Sequence, residues 1–361
     1  MRLNMHKLKN KFKRLFMSAA TIGTACLLAG CGAGAAAGTD NSSVTESQSG
    51  VNGSEQENAS SDSQKLQIVA TIFPEYDWVK EILGDQADNV DLTLLLGNGT
   101  DMHSFQPTME DILKVSTCDL FIYVGGESDS WVVDALKGAG NPDRKAINLM
   151  DVLGDQVKEE EIVEGMQDED GHTHEEEHTH DDDLEYDEHV WLSLKNASLF
   201  CDTIASSLAD VDPEHSRLYQ QNAEAYEEKL AALDQEYQTS VEKSQSKTLL
   251  FADRFPFRYL IDDYNLTYYA AFAGCSAETD ASFETITFLA GKLDELNLPA
   301  VLTIENSDQK VAKAVIENTN TKDQKILTLN SMQSVTTKDV EEGTTYLSIM
   351  ENNLQILKEA L

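Results

Sequence analysis

The sequence is short of basic side chains and has no paired cysteine motif. Its 361 residues contain 27 Lys and Arg against 64 Asp and Glu, which gives a formal net charge of −37 at pH 7. Because a nucleic acid backbone is itself negative, this deficit excludes nucleic acid as a partner and favours cations. None of the five cysteines belongs to a Cys-x-x-Cys pair, so no such pair suggests a thiolate zinc site.

The first 30 residues have the pattern of a secretory signal. Six basic residues, from Arg2 to Arg14, precede an apolar run from Leu15 to Leu28 that is too short for a secure membrane span. The segment closes on Leu-Ala-Gly-Cys, which resembles the bacterial lipoprotein signal, so we predict that Cys31 becomes a lipidated N-terminus outside the cytoplasm. Residues 31–64 offer almost nothing to bury and are expected to form a flexible tether.

Three cysteines would remain in the processed chain: Cys118, Cys201 and Cys275. They are scattered and do not form the dense disulfide framework of small secreted domains. One bridge could form among them, but we expect buried free thiols.

Short apolar, β-branched runs alternate with segments that carry apolar residues at helical spacing. The strand-like runs are 66–72, 90–96, 120–124, 248–252, 266–272, 300–304 and 326–329. This alternation predicts an α/β fold of two lobes, each with a mainly parallel sheet flanked by helices. We place the N-terminal lobe at residues 65–211 and the C-terminal lobe at residues 246–361.

Residues 212–245 lie between the two predicted lobes. They begin with Asp212-Pro213, a plausible cap with proline in the first turn, and then run to about Lys243 without glycine or proline. We therefore predict one long rigid helix that joins the lobes. An ordinary surface helix inside one domain is the alternative.

Five of the eight histidines lie among carboxylates between Gly171 and Leu192. Imidazole nitrogen and carboxylate oxygen both suit zinc and related divalent metals. Four of these histidines lie in a low-complexity, acidic loop at about 165–186, and this favours loose metal capture by a flexible loop over a merely solvated linker. They are His172, His174, His178 and His180.

The fifth, His189, precedes the apolar residues Val190, Trp191 and Leu192. These neighbours could fix the imidazole in a preformed pocket, although a satisfied histidine at the start of a helix is the alternative.

A secreted zinc hydrolase is a remote alternative, because the segment from His174 to His178 matches the HExxH pattern of zinc proteases. That motif requires a stable, partly buried helix, and nothing apolar flanks it here. Glu188, beside His189, is the one candidate general base, but adjacent residues usually point apart. We therefore expect no enzyme activity.

The segment from Asp101 to Pro107 follows the predicted strand that ends at Leu96. It contains His103, and ligands of open α/β folds usually bind at the C-terminal ends of parallel strands. Asp101 could orient the imidazole of His103 by a hydrogen bond.

From Lys65 to Leu361 the chain resembles the zinc and manganese branch of the solute-binding lipoproteins of ABC transporters. The segment 101–107 is similar to that family's D-P-H-S-[FY]-x-P element, and the segment 187–192 to its D-P-H-x-W-L element. An acidic, His-rich loop often precedes the second element in zinc-specific members, and the ending from Tyr346 resembles the family's closing helix. The resemblance implies that His103 and His189 bind the metal.

The family's third ligand is a His or Glu just before a Tyr-Phe-x-x-x-Tyr-Gly-Leu pattern, which residues 259–266 fit. The ligand position falls at or beside Asp253-Arg254. Because arginine cannot ligate, we assign the third role to Asp253. The alternative is a metal-free salt bridge from Asp253 to Arg254 or Arg258.

The family's fourth ligand is an aspartate after a late strand, where this chain has Asn330. An amide oxygen is a weaker, neutral donor, so this substitution lowers the negative charge of the site. Glu305, Glu278 or Asp280 could supply a carboxylate instead.

These features predict a monomeric, lipid-anchored extracytoplasmic protein that captures Zn²⁺ between its lobes and delivers it to an ABC permease. A manganese carrier or a metal-binding adhesin of the same family is the nearest alternative, since Mn²⁺ prefers more carboxylate oxygen. An acidic metal-buffering surface protein with no transporter is a further one.

Overall fold

The computed structural model describes residues 65–138, 140–167, 185–276 and 280–361. The predicted signal, the tether, Cys31 and the four loop histidines lie outside these ranges. Within the described ranges, no helix is both long enough and apolar enough to cross a membrane.

The first half of the described chain folds around one parallel sheet. Its elements are β1 (Leu66–Ala70), α1 (Phe73–Leu83), β2 (Val90–Leu94), α2 (Met109–Thr117), β3 (Leu120–Tyr123), α3 (Val132–Leu136), β4 (Lys145–Asn148), α4 (Leu149–Leu153) and α5 (Leu194–Val211). The strands lie in the order β2-β1-β3-β4, and every neighbouring pair is parallel. The C-terminal ends of the strands therefore share one edge of the sheet.

The second half repeats this architecture. Its elements are β5 (Thr248–Phe255), α7 (Arg258–Asp263), β6 (Thr267–Ala273), α8 (Phe283–Leu296), β7 (Ala300–Thr303), α9 (Lys310–Glu317), β8 (Lys325–Thr328), α10 (Thr337–Glu341) and α11 (Tyr346–Ala360). The strand order is β6-β5-β7-β8, again with parallel neighbours.

One helix of 28 residues, α6 (Ser216–Lys243), lies between the two halves in the sequence. Apolar and aromatic residues recur along it every three or four positions, so that one face is buried. It contacts both halves: the Asn222 side chain donates a hydrogen bond to the carbonyl of Ile82 (2.9 Å), and the Tyr237 hydroxyl donates one to the carbonyl of Met350 (2.6 Å).

The two halves also share a hydrophobic core. One apolar cluster includes Trp78 of α1, Tyr226 of α6 and Leu354 of α11. The rings of Trp78 and Tyr346 pack edge to face, with centroids 5.2 Å apart. Such a continuous core resists large rearrangement, because close-packed interiors deform little.

The predicted fold class, two parallel sheets flanked by helices with one long helix, is confirmed. The strand that the sequence analysis did not predict is β4, Lys145–Asn148. It is short and lies at the edge of its sheet, and its four residues include too few apolar side chains to give a recognisable strand pattern.

Glu75 is a fully buried carboxyl group in the first turn of α1. Its Oε2 accepts hydrogen bonds from the N–H (2.8 Å) and hydroxyl (3.0 Å) of Thr71 and from the N–H of Ile72 (3.2 Å). Its Oε1 is buried and has no hydrogen-bond partner among the described residues. Burial, with the nearby carboxylate of Asp129, raises the pKa of Glu75 to about 8.

We predict that Glu75→Gln makes the protein more stable than the parent at high pH. In the unfolded chain Glu75 ionises near pH 4.5, whereas in the folded protein its pKa is about 8. The parent therefore loses free energy of unfolding as the pH rises between these values, and the glutamine variant does not. Urea unfolding at pH 5 and pH 8.5 should show the stability difference between variant and parent changing by about 4 kcal/mol in favour of the variant.

Glu351→Gln, on the exposed side of α11, removes a carboxylate without burial and serves as the control. If the stability of Glu75→Gln followed that of the parent across this pH range, Glu75 would not be held protonated by the fold.

Candidate metal centre

His103 lies in a single helical turn, Met102–Ser104, after β2. Asp101 is the N-cap of this turn, and its Oδ1 accepts a hydrogen bond from the N–H of His103 (3.1 Å). On the other side of the imidazole, Nδ1 is 2.9 Å from the hydroxyl of Ser128 and 3.6 Å from Oε2 of Glu188. The backbone of Ser128 is fixed in turn by a 2.9 Å hydrogen bond to Oε1 of Glu188. Because these contacts are made at Nδ1, the Nε2 atom of His103 points away from Ser128 and Glu188.

His189 is completely buried. Oδ1 of Asp187 accepts hydrogen bonds from both the backbone N–H (2.8 Å) and the Nδ1 (3.0 Å) of His189. This bond fixes the tautomer with a proton on Nδ1, so that Nε2 is the nitrogen available to a ligand.

The segment from Asp187 to Leu192 is held in place by the second half of the chain. The Tyr259 hydroxyl donates to the carbonyl of Asp187 (3.0 Å), and the Tyr346 hydroxyl donates to the carbonyl of Trp191 (2.7 Å). The indole of Trp191 donates to the carbonyl of Ser331 (2.9 Å). These bonds position the His189 segment relative to the second half of the chain.

The two imidazoles meet. Nε2 of His103 is 3.1 Å from Nε2 of His189, and the ring centroids are 5.1 Å apart with the planes inclined by 62°. Two nitrogens bound to one tetrahedral zinc ion lie about 3.3 Å apart, given Zn–N distances of about 2.0–2.1 Å. The pair is therefore spaced almost as two ligands of one ion would be.

The protonation of His103 also suits a metal. Burial and the neighbouring His189 lower the pKa of His103 to about 3. Burial also opposes charge on His189, but the carboxylate of Asp187 outweighs it and raises the pKa of His189. His103 is therefore neutral across the physiological range, as a metal ligand must be.

Cys275 is the third potential donor beside the imidazoles. Its Sγ and one nitrogen of each of His103 and His189 all lie within 4.8 Å of one another. It follows Gly274 at the end of β6, and its N–H donates a hydrogen bond to Oε1 of Glu160 (3.1 Å). Burial raises the pKa of the Cys275 thiol. From its sequence we expect Cys275 to be a free thiol, although its position after a parallel strand is the same feature that indicates His103 as a ligand.

Gly274 explains how the Cys275 loop comes so close to His189. A Cβ at position 274 would lie 2.9 Å from the carbonyl oxygen of Phe255 and 3.1 Å from Cε1 of His189. Only glycine lets the backbone pass the imidazole at this distance.

Asp253, the predicted third ligand, is not part of this group. Its Oδ1 accepts a hydrogen bond from the N–H of Arg254 (2.9 Å), and its Oδ2 is buried with no partner among the described residues. Arg254 forms its ion pair with Oδ2 of Asp101 (2.8 Å), the residue that begins the His103 turn. Arg258 pairs with Asp262 (2.9 Å) and also with Glu161.

Asn330, the predicted fourth ligand, uses its Oδ1 to accept a hydrogen bond from the N–H of Met332 (2.7 Å). The alternative Glu305 accepts three hydrogen bonds from the neighbouring loop, two from Ser331 and one from Gln333. Both side chains therefore support the loop after β8. Asp280 is exposed, and Glu278 lies outside the described residues.

A cavity of about 770 Å³ opens beside the imidazoles. His103 and Cys275 both line it, together with the carboxylates of Glu160, Glu185 and Glu188. Acidic side chains around a cleft raise the local concentration of cations. Glu185, which lines this cavity, is the first described residue after the His-rich segment of the sequence.

Comparison with known proteins points to zinc. The family model described as ZnuA, zinc-uptake complex component A periplasmic, matches residues 68–360. Zinc-binding lipoprotein AdcA of Streptococcus pneumoniae is 32% identical over 299 residues, which cover 82% of this chain and 56% of AdcA. High-affinity zinc uptake system protein ZnuA of Bacillus subtilis is 30% identical over 310 residues, covering 86% of this chain and 92% of that protein.

The crystal structure of the Zn(II)-bound ZnuA-like domain of Streptococcus pneumoniae AdcA superimposes with a TM-score of 0.63 at 27% identity. The match covers 82% of this chain and 99% of that domain. The chain spans about half the length of AdcA, so its likeness is to the ZnuA-like part of that protein.

We predict that Tyr346→Phe destabilises the protein, since it leaves the buried carbonyl of Trp191 without its hydrogen-bond donor. The expected loss in free energy of unfolding is about 1–3 kcal/mol, measured by urea denaturation. Tyr186→Phe, at a side chain that is 45% exposed, removes a hydroxyl without this burial and should change stability little. Equal stabilities of the two variants would show that the second half does not hold the Asp187 to Leu192 segment through this bond.

Proposed function

Because the chain belongs to the family of ZnuA, the zinc-uptake complex component A, we propose that it captures Zn²⁺ outside the cytoplasm and delivers it to an ABC permease. His103 and His189 hold the ion through their Nε2 atoms. No covalent chemistry is part of this role.

The approach of the two Nε2 atoms to 3.1 Å is the observation that carries this proposal. Each ring is fixed from behind at Nδ1, by Ser128 or by Asp187, so the nitrogens are oriented before a metal arrives. Such preorganised imidazole pairs with hydrogen-bonded Nδ1 atoms are typical of zinc sites. The acidic wall of the cavity supplies the attraction for a cation.

Glu188 does not favour the hydrolase alternative. A general base must reach a water bound on the metal side of the imidazoles, the side of Nε2. Glu188 instead lies behind His103, with Oε2 3.6 Å from Nδ1 and Oε1 bonded to the N–H of Ser128. It therefore contacts the ring from the side of Nδ1, opposite the Nε2 atom that would bind the metal.

We further propose that residues 65–211 and 246–361 act as lobes joined by the helical segment 212–245. The ion pair between Arg254 and Asp101 connects the second lobe to the turn that carries His103. With a shared apolar core, closure around the ion is a small rocking movement. Release then requires the permease to disturb the ligands.

The parts outside the described residues complete the proposal. A lipid on Cys31 anchors a monomeric protein to the membrane, and residues 31–64 form its tether. The four histidines at 172, 174, 178 and 180 collect metal loosely and pass it to the cavity wall at Glu185.

Competitive titration with a chromophoric chelator tests the division of roles. We expect one tight Zn²⁺ equivalent in the mature chain, and the same equivalent after deletion of residues 168–183. His103→Ala should weaken it by more than about 100-fold, because losing a ligand costs at least as much as losing a partner that orients one. His215→Ala removes a histidine that is bonded to Asp212 at the start of α6 and should leave the affinity unchanged.

Two outcomes would contradict this proposal. Loss of the tight equivalent on loop deletion would make the loop, and not the imidazole pair, the principal site. Tighter binding of Mn²⁺ than of Zn²⁺ in the same titration would favour the manganese carrier.

A further inference from the structure

We propose that Cys275 is the third protein ligand, so that the site holds its ion with two imidazoles and one thiolate. This inference rests on the proposed function, since it concerns the same ion. It gives the second half of the chain a direct bond to the metal that His103 and His189 bind.

The geometry of the three donors fits one ion. With Zn–N distances of about 2.0–2.1 Å and a Zn–S distance of about 2.3 Å, tetrahedral ligand atoms lie about 3.3–3.7 Å apart. The donor atoms of His103, His189 and Cys275 all lie within 4.8 Å of one another. A contraction of about 1 Å, which side-chain rotation can supply, closes the set around zinc.

The surroundings of Cys275 hold the thiol at this place. The end of β6 and the close passage of Gly274 along the His189 ring fix the backbone. The bond from the Cys275 N–H to Glu160 fixes the loop from the cavity side. The thiol is free of any disulfide.

The other described cysteines do not offer this role. Cys118 is buried and donates its thiol proton to the carbonyl of Val115 (3.3 Å). Cys201 is fully buried on α5, within the apolar core. Cys275 is the described cysteine that lines the cavity beside His103.

The other candidates for a third ligand are engaged elsewhere or lie outside the donor group of His103, His189 and Cys275. The sequence pattern places a ligand at or beside Asp253-Arg254. Asp253 is not part of that donor group, and Arg254 pairs with Asp101. The amide oxygen of Asn330 and the carboxylate of Glu305 accept hydrogen bonds from backbone N–H groups of the loop after β8. The second half therefore presents a sulfur donor beside the imidazoles.

A thiolate ligand changes which metals the site accepts. As the ion binds, the thiol loses its proton to water and the Zn–S bond forms, without any change of oxidation state. Thiolate favours zinc over manganese, which prefers carboxylate and water oxygens. The cavity next to Cys275 leaves room for a fourth ligand such as water. We therefore infer that Cys275 makes the site selective for Zn²⁺ against Mn²⁺.

Cobalt substitution tests the sulfur ligand directly, because a Co²⁺–thiolate bond produces an intense charge-transfer absorption in the near ultraviolet. We expect this band in the mature protein with one equivalent of Co²⁺, its loss in Cys275→Ala, and its retention in the matched control Cys201→Ala. Zinc affinity should fall by about 10-fold or more in Cys275→Ala, with a smaller change for Mn²⁺.

A second measurement uses the protein without substitution. Zn²⁺ should protect Cys275 from alkylation by iodoacetamide, measured on peptides by mass spectrometry, and Mg²⁺ should not. A parent that binds Zn²⁺ tightly but shows no charge-transfer band and no protection would overturn the role of Cys275 and leave the proposed function standing. A parent without a tight zinc equivalent would overturn the proposed function itself.

Discussion

The metal centre depends most on two imidazole nitrogens that lie 3.1 Å apart although their residues are far apart in the sequence. Bringing two buried nitrogen donors together is unfavourable unless a proton or a metal ion lies between them. The fold offsets this unfavourable energy with hydrogen bonds that fix the orientation of each ring. Asp187 bonds to Nδ1 of His189, and Ser128 bonds to Nδ1 of His103. A site arranged in this way before a ligand arrives loses little entropy on binding.

The parallel sheets explain why donors from both halves converge. In such sheets the strands end at a common edge, where loops are free to carry function. His103 follows β2 in one sheet, and Cys275 follows β6 in the other. The segment around His189 lies between them and is bonded to the second half through Tyr259, Tyr346 and Trp191. The continuous apolar core then fixes the positions of the two sheet edges relative to each other.

Much of this architecture could be predicted from local sequence. The alternation of apolar runs indicated the sheets, and the strand missed, β4, is too short and too polar to be recognised outside its sheet. The two histidines were singled out by their neighbours, and their role as ligands stays a prediction. The partner of Arg254 could not be seen, because Asp101 is 153 positions away in the sequence. Cys275 was missed because a single cysteine has no spacing that distinguishes a ligand from a buried thiol.

The most direct test of the account is anomalous diffraction at the zinc absorption edge from crystals grown with one equivalent of Zn²⁺. We expect one strong peak about 2.0–2.1 Å from Nε2 of both His103 and His189. A peak bound only to other residues, or imidazoles turned away from each other in the zinc-loaded crystal, would contradict it.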